Sequence, residues 1–329
     1  MKTVEEAELC FPQLLNSSCR KTMHPHSVSM LTYIILSSIS LLTVALNLLV
    51  IISISHFKQL HTPTNLLLLS LAVSDSFVGF LMLFQIVLIE GCWFLGDFMC
   101  AVYYVFDYIV TSASIGTMVL ISADRYVAIC DPLHYPTKVT QKRVQMCVSL
   151  CWMCSIFCHS LLLKDNLEQP GRYNSCFGEC VIVIDYVAGL VDLFLSFIGP
   201  VTVIVVLYIR VFVVAVSQAR AMRSHIAAVT VQCSVKVTAK KSELKAATTL
   251  GVVVVVFLVC VCPYFCVALT GQDTMLNASS AAFVISLFYF NSCINPVIYA
   301  FFYPWFRKSI KLIVTLKILE ADSCDFSML

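Results

Sequence analysis

The chain has 329 residues, 60% of them hydrophobic and only 12% charged, with a formal net charge of +2. That balance excludes a water-soluble domain of this length. It also lacks the basic surplus that nucleic acid recruits, so the composition specifies an all-α protein embedded in a bilayer.

Seven apolar runs are long enough to span, at about 28–55, 62–89, 98–129, 144–163, 187–216, 244–269 and 281–302. They divide the chain into a tail (1–27), a seven-transmembrane helix bundle (28–302) and a terminal segment (303–329). The tail begins with acidic residues and lacks an apolar core followed by a cleavage site, so no removable signal peptide is expected. It carries Cys10, Cys19 and a glycosylation acceptor at Asn16-Ser17-Ser18.

The first span holds one amide, Asn47, and the second one acid, Asp75, both near mid-membrane and so expected to face the bundle. Asn47 serves equally well as glue between helices, whereas Asp75 suits a hydrated ion site. The third span starts beside Cys100, carries Asp107 and ends in Asp124-Arg125-Tyr126. At ~1.5 Å per residue, Asp107 and Asp124 stand about 25 Å apart, most of the hydrocarbon thickness. A carboxylate so placed costs several kcal/mol (~2.5 or more) unless a partner relieves it, and nothing nearby in sequence neutralises Asp107, so a ligand is expected to.

The fourth span is the shortest and is supported by Trp152; its cysteines read as small buried hydrophobes. Cys176 and Cys180 follow in a loop that faces, with Cys100 and the tail, an oxidising compartment, where pairing is expected but its connectivity is open. The fifth span contains Asp192, about 12 Å from Pro200 by helical rise. Pro263 in the sixth, and Asn291, Asn295 and Pro296 in the seventh, are weak points at which a helix can bend between two packings. Asn277-Ala278-Ser279 is a second glycosylation acceptor, close to the membrane. From Tyr303 to Ile313 apolar and basic residues alternate at helical spacing, which predicts an amphipathic helix on the membrane surface.

Lysine and arginine concentrate in alternate connections, at 58, 125–143, 210–245 and 307–317, which sets those inside and the amino terminus outside, in the plasma membrane. The opposite connections are acidic and attract cations. The basic inner segment from Arg210 to Lys245 is the expected surface for a cytoplasmic partner. Intramembrane acids also build transporters, but no internal repeat is present. A membrane hydrolase lacks its motifs, and His24, His26 and His159 stand isolated.

Asn47, Leu71 to Asp75, Cys100, Asp124-Arg125-Tyr126, Trp152, Pro200 with Tyr208, Pro263 and Asn295-Pro296-Val297-Ile298-Tyr299 together resemble the rhodopsin-like G-protein-coupled receptors. The run from Asn291 to Phe306 matches the fingerprint NSxxNPxxYxxxYxWF of the trace amine-associated receptors. The resemblance implies a heterotrimeric stimulatory G protein, cyclic AMP and, in most vertebrates, an olfactory setting. It implies that Asp107 binds a ligand ammonium and that Tyr289 hydrogen-bonds that acid. It pairs Cys100 with Cys180 and Cys19 with Cys176. It makes Arg125 the residue that reaches the G protein, held at rest by Glu243, and Pro200, Ile115 and Phe257 the relay of motion. Asp75, Ser114, Asn291 and Asn295 resemble a sodium pocket, the chain's one implied cofactor. Where many relatives have a tryptophan beneath the ligand, this chain has Val261, which shifts the expected switch toward Phe257, Tyr264 and Phe265.

The resemblance also turns Asp107 and Asp192 toward one cavity, lined by Tyr264, Phe265 and Tyr289. Two carboxylates sharing a poorly hydrated pocket repel each other until cations arrive. A ligand with two ammonium groups neutralises both, which predicts a diamine of putrescine or cadaverine type, and some fish relatives with matching acids recognise such diamines. Two other states are open to Asp192: a protonated acid bonded to Ser196, or a partner for an imidazole ligand. The competing receptor is one for a single-ammonium biogenic amine.

Overall fold

The computed structural model describes residues 8–14, 16–21, 26–89, 91–226, 251–267, 278–320 and 323–328. Glu243, Asn277 and the basic inner segment beyond Ile226 lie outside the described residues. Seven apolar helices form a bundle: α1 (His26–His56), α2 (Pro63–Ile89), α3 (Asp97–Cys130), α4 (Gln141–Leu162), α5 (Tyr186–Ile226), α6 (Gly251–Val267 as described) and α7 (Ala278–Phe302). A short helix, α8 (Pro304–Val314), follows. Six of the seven are long and apolar enough to cross a membrane, α6 being shorter as described.

The bundle is apolar on its outside as well as its inside. Leu41, Phe157, Phe212 and Val213 are exposed on its outer surface, where lipid is their natural solvent. The interior is a continuous cluster that includes Leu71, Ile115, Met118, Phe257, Val261 and Tyr299. α3 is the axis of the bundle, touching α2, α4 and α5. Asn47 donates to the carbonyls of Thr43 and Ser292, both at 2.9 Å, so it does tie α1 to α7.

α4 buries only Val144, Ser155 and His159. It is held by polar contacts: Trp152 Nε1 donates to Ser70 Oγ, and Ser155 Oγ to Ser112 Oγ, each at 3.2 Å. A Cβ at Gly116 of α3 would collide with the Cys151 sulfur, so the close α3–α4 approach requires glycine there.

α5 is not one regular helix. Asp185 caps it, accepting from the backbone N–H groups of Val187 and Ala188. A π turn then interrupts it over Phe194–Ile198, where Gly199 N–H reaches the carbonyl of Phe194, five residues back. The cause is Pro200, which has no N–H to give the carbonyl of Ser196, so the helix widens by one residue ahead of it. The simple helical rise from Asp192 to Pro200 therefore does not hold. The stretch apolar enough to cross a membrane is Tyr186–Ser217, as expected, and the helix continues beyond it to Ile226.

α8 buries Trp305, Phe306 and Ser309 and exposes Arg307, Lys308 and Lys311, the expected amphipathic division. Arg307 Nη1 donates to the carbonyls of Ala300 and Phe301, both at 2.9 Å, and so caps the end of α7.

Candidate functional site

Two polar centres lie at opposite ends of α3. At the end bearing the disulfides a cavity of about 610 Å³ opens between α3, α4, α5, α6 and α7. Asp107, Asp192, Tyr264, Phe265 and Tyr289 all line it, so the five residues singled out from the sequence share one space. Asp107 Oδ1 is buried with no hydrogen-bond partner, and Tyr289, though close by in the wall, donates nothing to that oxygen. An acceptor left in this state is destabilising by about 1–3 kcal/mol, more when charged, so a donor brought to it is favoured.

Asp192 is different. Ser196 Oγ donates to its Oδ1 at 2.8 Å, and His159 Nε2 lies 3.1 Å from the same oxygen. His159 is therefore not isolated, as its place in the sequence suggested. It reaches from α4 to α5, where its Nε2 meets Asp192. Its Nδ1 is 2.8 Å from the Ser155 carbonyl, and its ring packs against Tyr108 with centroids 5.8 Å apart.

Below the cavity Phe197 and Phe265 stack with centroids 3.9 Å apart and planes 10° from parallel. Val261 is buried in the same core cluster as Ile115, Phe257 and Phe197. Deeper still, Asn295 Nδ2 donates to Asp75 Oδ2 at 2.8 Å, while Oδ1 of each of Asp75, Asn291 and Asn295 is buried without a partner. Ser114, on α3, is buried too.

At the other end of α3, Arg125 is held by its neighbour. Its Nε donates to Asp124 Oδ2 at 2.9 Å, its Nη2 bonds the same oxygen, and Nη2 also donates to Thr64 Oγ1 at 2.8 Å. Tyr135, in a short helix after α3, donates to Asp124 Oδ1 at 2.8 Å. Tyr126 is exposed, and the hydroxyls of Tyr208 and Tyr299 are buried without partners.

At the cavity end of the bundle the connecting segments are tied together covalently. Cys100 bonds Cys180, and Cys19 bonds Cys176. A third bridge, Cys10–Cys92, was not foreseen, since Cys92 carries no local sign of its partner. Trp93 N–H donates to the carbonyl of Gly178 at 2.7 Å, and Phe177 N–H to that of Ser17 at 2.6 Å, weaving tail and loops together. Asn16 is exposed within the tied tail.

This architecture has known counterparts. The signature of the 7 transmembrane receptor (rhodopsin family) matches residues 46–299, which defines the class. Among curated relatives, trace amine-associated receptor 13c of Danio rerio is 38% identical, covering 98% of this chain and 97% of that protein. Trace amine-associated receptor 4 of Mus musculus is 37% identical over 98% and 96%, and trace amine-associated receptor 9 of Rattus norvegicus 40% identical over 96% of each. The chain belongs to the trace amine-associated receptors, multi-pass receptors of the plasma membrane rather than enzymes.

Proposed function

We propose that this receptor detects diamines, with Asp107 receiving one ammonium and Asp192 the other. The observation that carries this is the convergence of two carboxylates from α3 and α5 on one cavity of about 610 Å³, beside the aromatic rings of Tyr264, Phe265 and Tyr289. Aromatic faces add cation–π attraction at both ends of such a ligand. The amino terminus is outside, so the cavity opens to the extracellular side, where Asn16 is a glycosylation acceptor. The end of α3 at Arg125 meets a stimulatory heterotrimeric G protein, raising cyclic AMP in an olfactory cell. The names of the relatives, with a fish receptor among them, support an amine as ligand. Asp75, Ser114, Asn291 and Asn295 would hold a sodium ion, a hard cation suited to the three unpartnered oxygens there.

One observation favours a second reading, a receptor for a single ammonium: Asp192 already has His159 and Ser196 as partners, while Asp107 Oδ1 has none. Cyclic AMP dose responses to amines of graded chain length discriminate the two. With Asp107→Ala, all amines lose potency; with Asp192→Ala, diamines alone lose about ten-fold or more, the value of one charge-assisted contact. Unchanged diamine potency in Asp192→Ala would leave the single-ammonium receptor.

A further inference from the structure

The contacts of His159 fix a proton count. A carbonyl oxygen only accepts, so Nδ1, 2.8 Å from the Ser155 carbonyl, carries a proton. Nε2 faces Asp192 Oδ1 at 3.1 Å, and that contact is attractive only if one of the two atoms bears a proton. With neither protonated, two lone pairs would oppose each other across the same gap. The Ser196 hydroxyl has a single hydrogen, which its shorter contact directs to Asp192 Oδ1 at 2.8 Å rather than to Nε2 at 3.4 Å. The pair therefore exists as imidazolium and carboxylate, or as imidazole and carboxylic acid. Both forms have zero net charge.

The surroundings offer no other cation. Among the described residues, no lysine or arginine lines the cavity. The titratable groups that share the cavity with the pair are Asp107, Tyr103, Tyr104 and Tyr108 from α3, with Asp185 and Tyr186 at the start of α5. Tyr264 and Tyr289 face it from α6 and α7. Besides Asp185, which is engaged in capping α5, the pocket thus holds one anchor without a partner at Oδ1, Asp107, and one already cancelled from within, Asp192.

We infer that His159 is a specificity-determining residue of this pocket: it holds the single proton that neutralises Asp192, and a second ligand ammonium docks by displacing that proton. This rests on the two-point reading above. A monoamine meets Asp107 and leaves the pair intact. A diammonium ligand brings two charges; the pair releases one proton to water, the second ammonium donates both to Asp192 Oδ1 and to the freed Nε2 in place of that proton, His159 stays as neutral imidazole still bonded to Ser155, and both carboxylates end up matched. His159 then sets a threshold that singly charged amines never have to cross and doubly charged ones do.

The test uses the full-length receptor in membranes and compares pentylamine with 1,5-diaminopentane by competition binding between about pH 6 and pH 8, where alkylammonium groups stay charged. Release of one proton makes the diamine affinity rise with pH relative to the monoamine, by up to about ten-fold per pH unit while the pair holds its proton. That slope needs no variant, so it decides even if a substitution misfolds; parallel curves for the two ligands overturn the inference. In His159→Gln the slope disappears and diamine affinity relative to pentylamine at the acid end rises about ten-fold or more. A diamine preference that is unaltered or lowered by His159→Gln overturns it as well. Asp192→Asn, alone and with His159→Gln, separates the two ideas: if it leaves diamine preference untouched in both, the two-point site itself is wrong, whereas loss in both with no pH slope in the parent refutes only the role of His159.

Discussion

A single unpartnered oxygen, Asp107 Oδ1, is the most informative atom of the pocket, because a buried acceptor without a donor marks where the fold has been left incomplete. Asp107→Asn keeps the shape and removes the charge. It is expected to raise the thermal stability of the ligand-free receptor, by about 1–3 kcal/mol, while abolishing responses to mono- and diamines alike. A melting curve and cyclic AMP on the same preparation check both halves, and a variant that melts lower would mean that Asp107 has an internal partner after all. Asp107 was legible in the sequence because an acid in a long apolar run is anomalous whatever surrounds it. His159 was not, because its meaning comes from Asp192 on another helix, 33 residues on, and a histidine near the end of an apolar span looks unremarkable. What the sequence reveals about a residue is its cost; what it conceals is who meets that cost.

The same division holds for helices. Spans, amphipathic α8 and the polar positions of α2, α3 and α7 follow from periodicity and length, which are local. The π turn of α5 depends on a local residue, Pro200, but its consequence is rotational and falls on Asp192, upstream of the turn. Widening by one residue shifts everything before the turn by about 100° around the helix axis, and that offset is what aims Asp192 at His159 and the cavity. Pro200→Ala supplies an N–H for the Ser196 carbonyl and lets the turn close to α geometry. Diamine affinity is then expected to fall about ten-fold or more while monoamine affinity, set by α3, holds within about two-fold. Competition binding reads this without confusion from any effect of Pro200 on signalling; equal losses for both ligands would mean that the π turn shapes the whole pocket rather than one anchor.

At the scale of the molecule, the two ends of α3 are built on opposite terms. The Arg125 end is closed by side-chain hydrogen bonds that one another's rearrangement can release, with Asp124 accepting from Arg125 and Tyr135. The cavity end is closed by covalent bonds. Two of these followed from family resemblance, but Cys10–Cys92 joins the tail to the loop after α2 across 82 residues and could be found only in three dimensions. Phe11, beside that bridge, packs on Phe94 and Phe177 with centroids 5.6 and 4.8 Å away, so the tail is clamped to the loops after α2 and α4, pinned at Cys10 and Cys19. Removing one pin by Cys10→Ser with Cys92→Ser restores freedom to the unfolded chain and costs about 2–4 kcal/mol of stability. The remaining pins keep Asp107 and Asp192 in place, so equilibrium affinity for a diamine stays within about two-fold, while a tail freed at one end is expected to speed both binding and release. Thermal melting and ligand dissociation rates measure the two effects on one sample. A slower or unchanged release rate would show that ligand does not pass the tail, and that the entry path runs between helices instead.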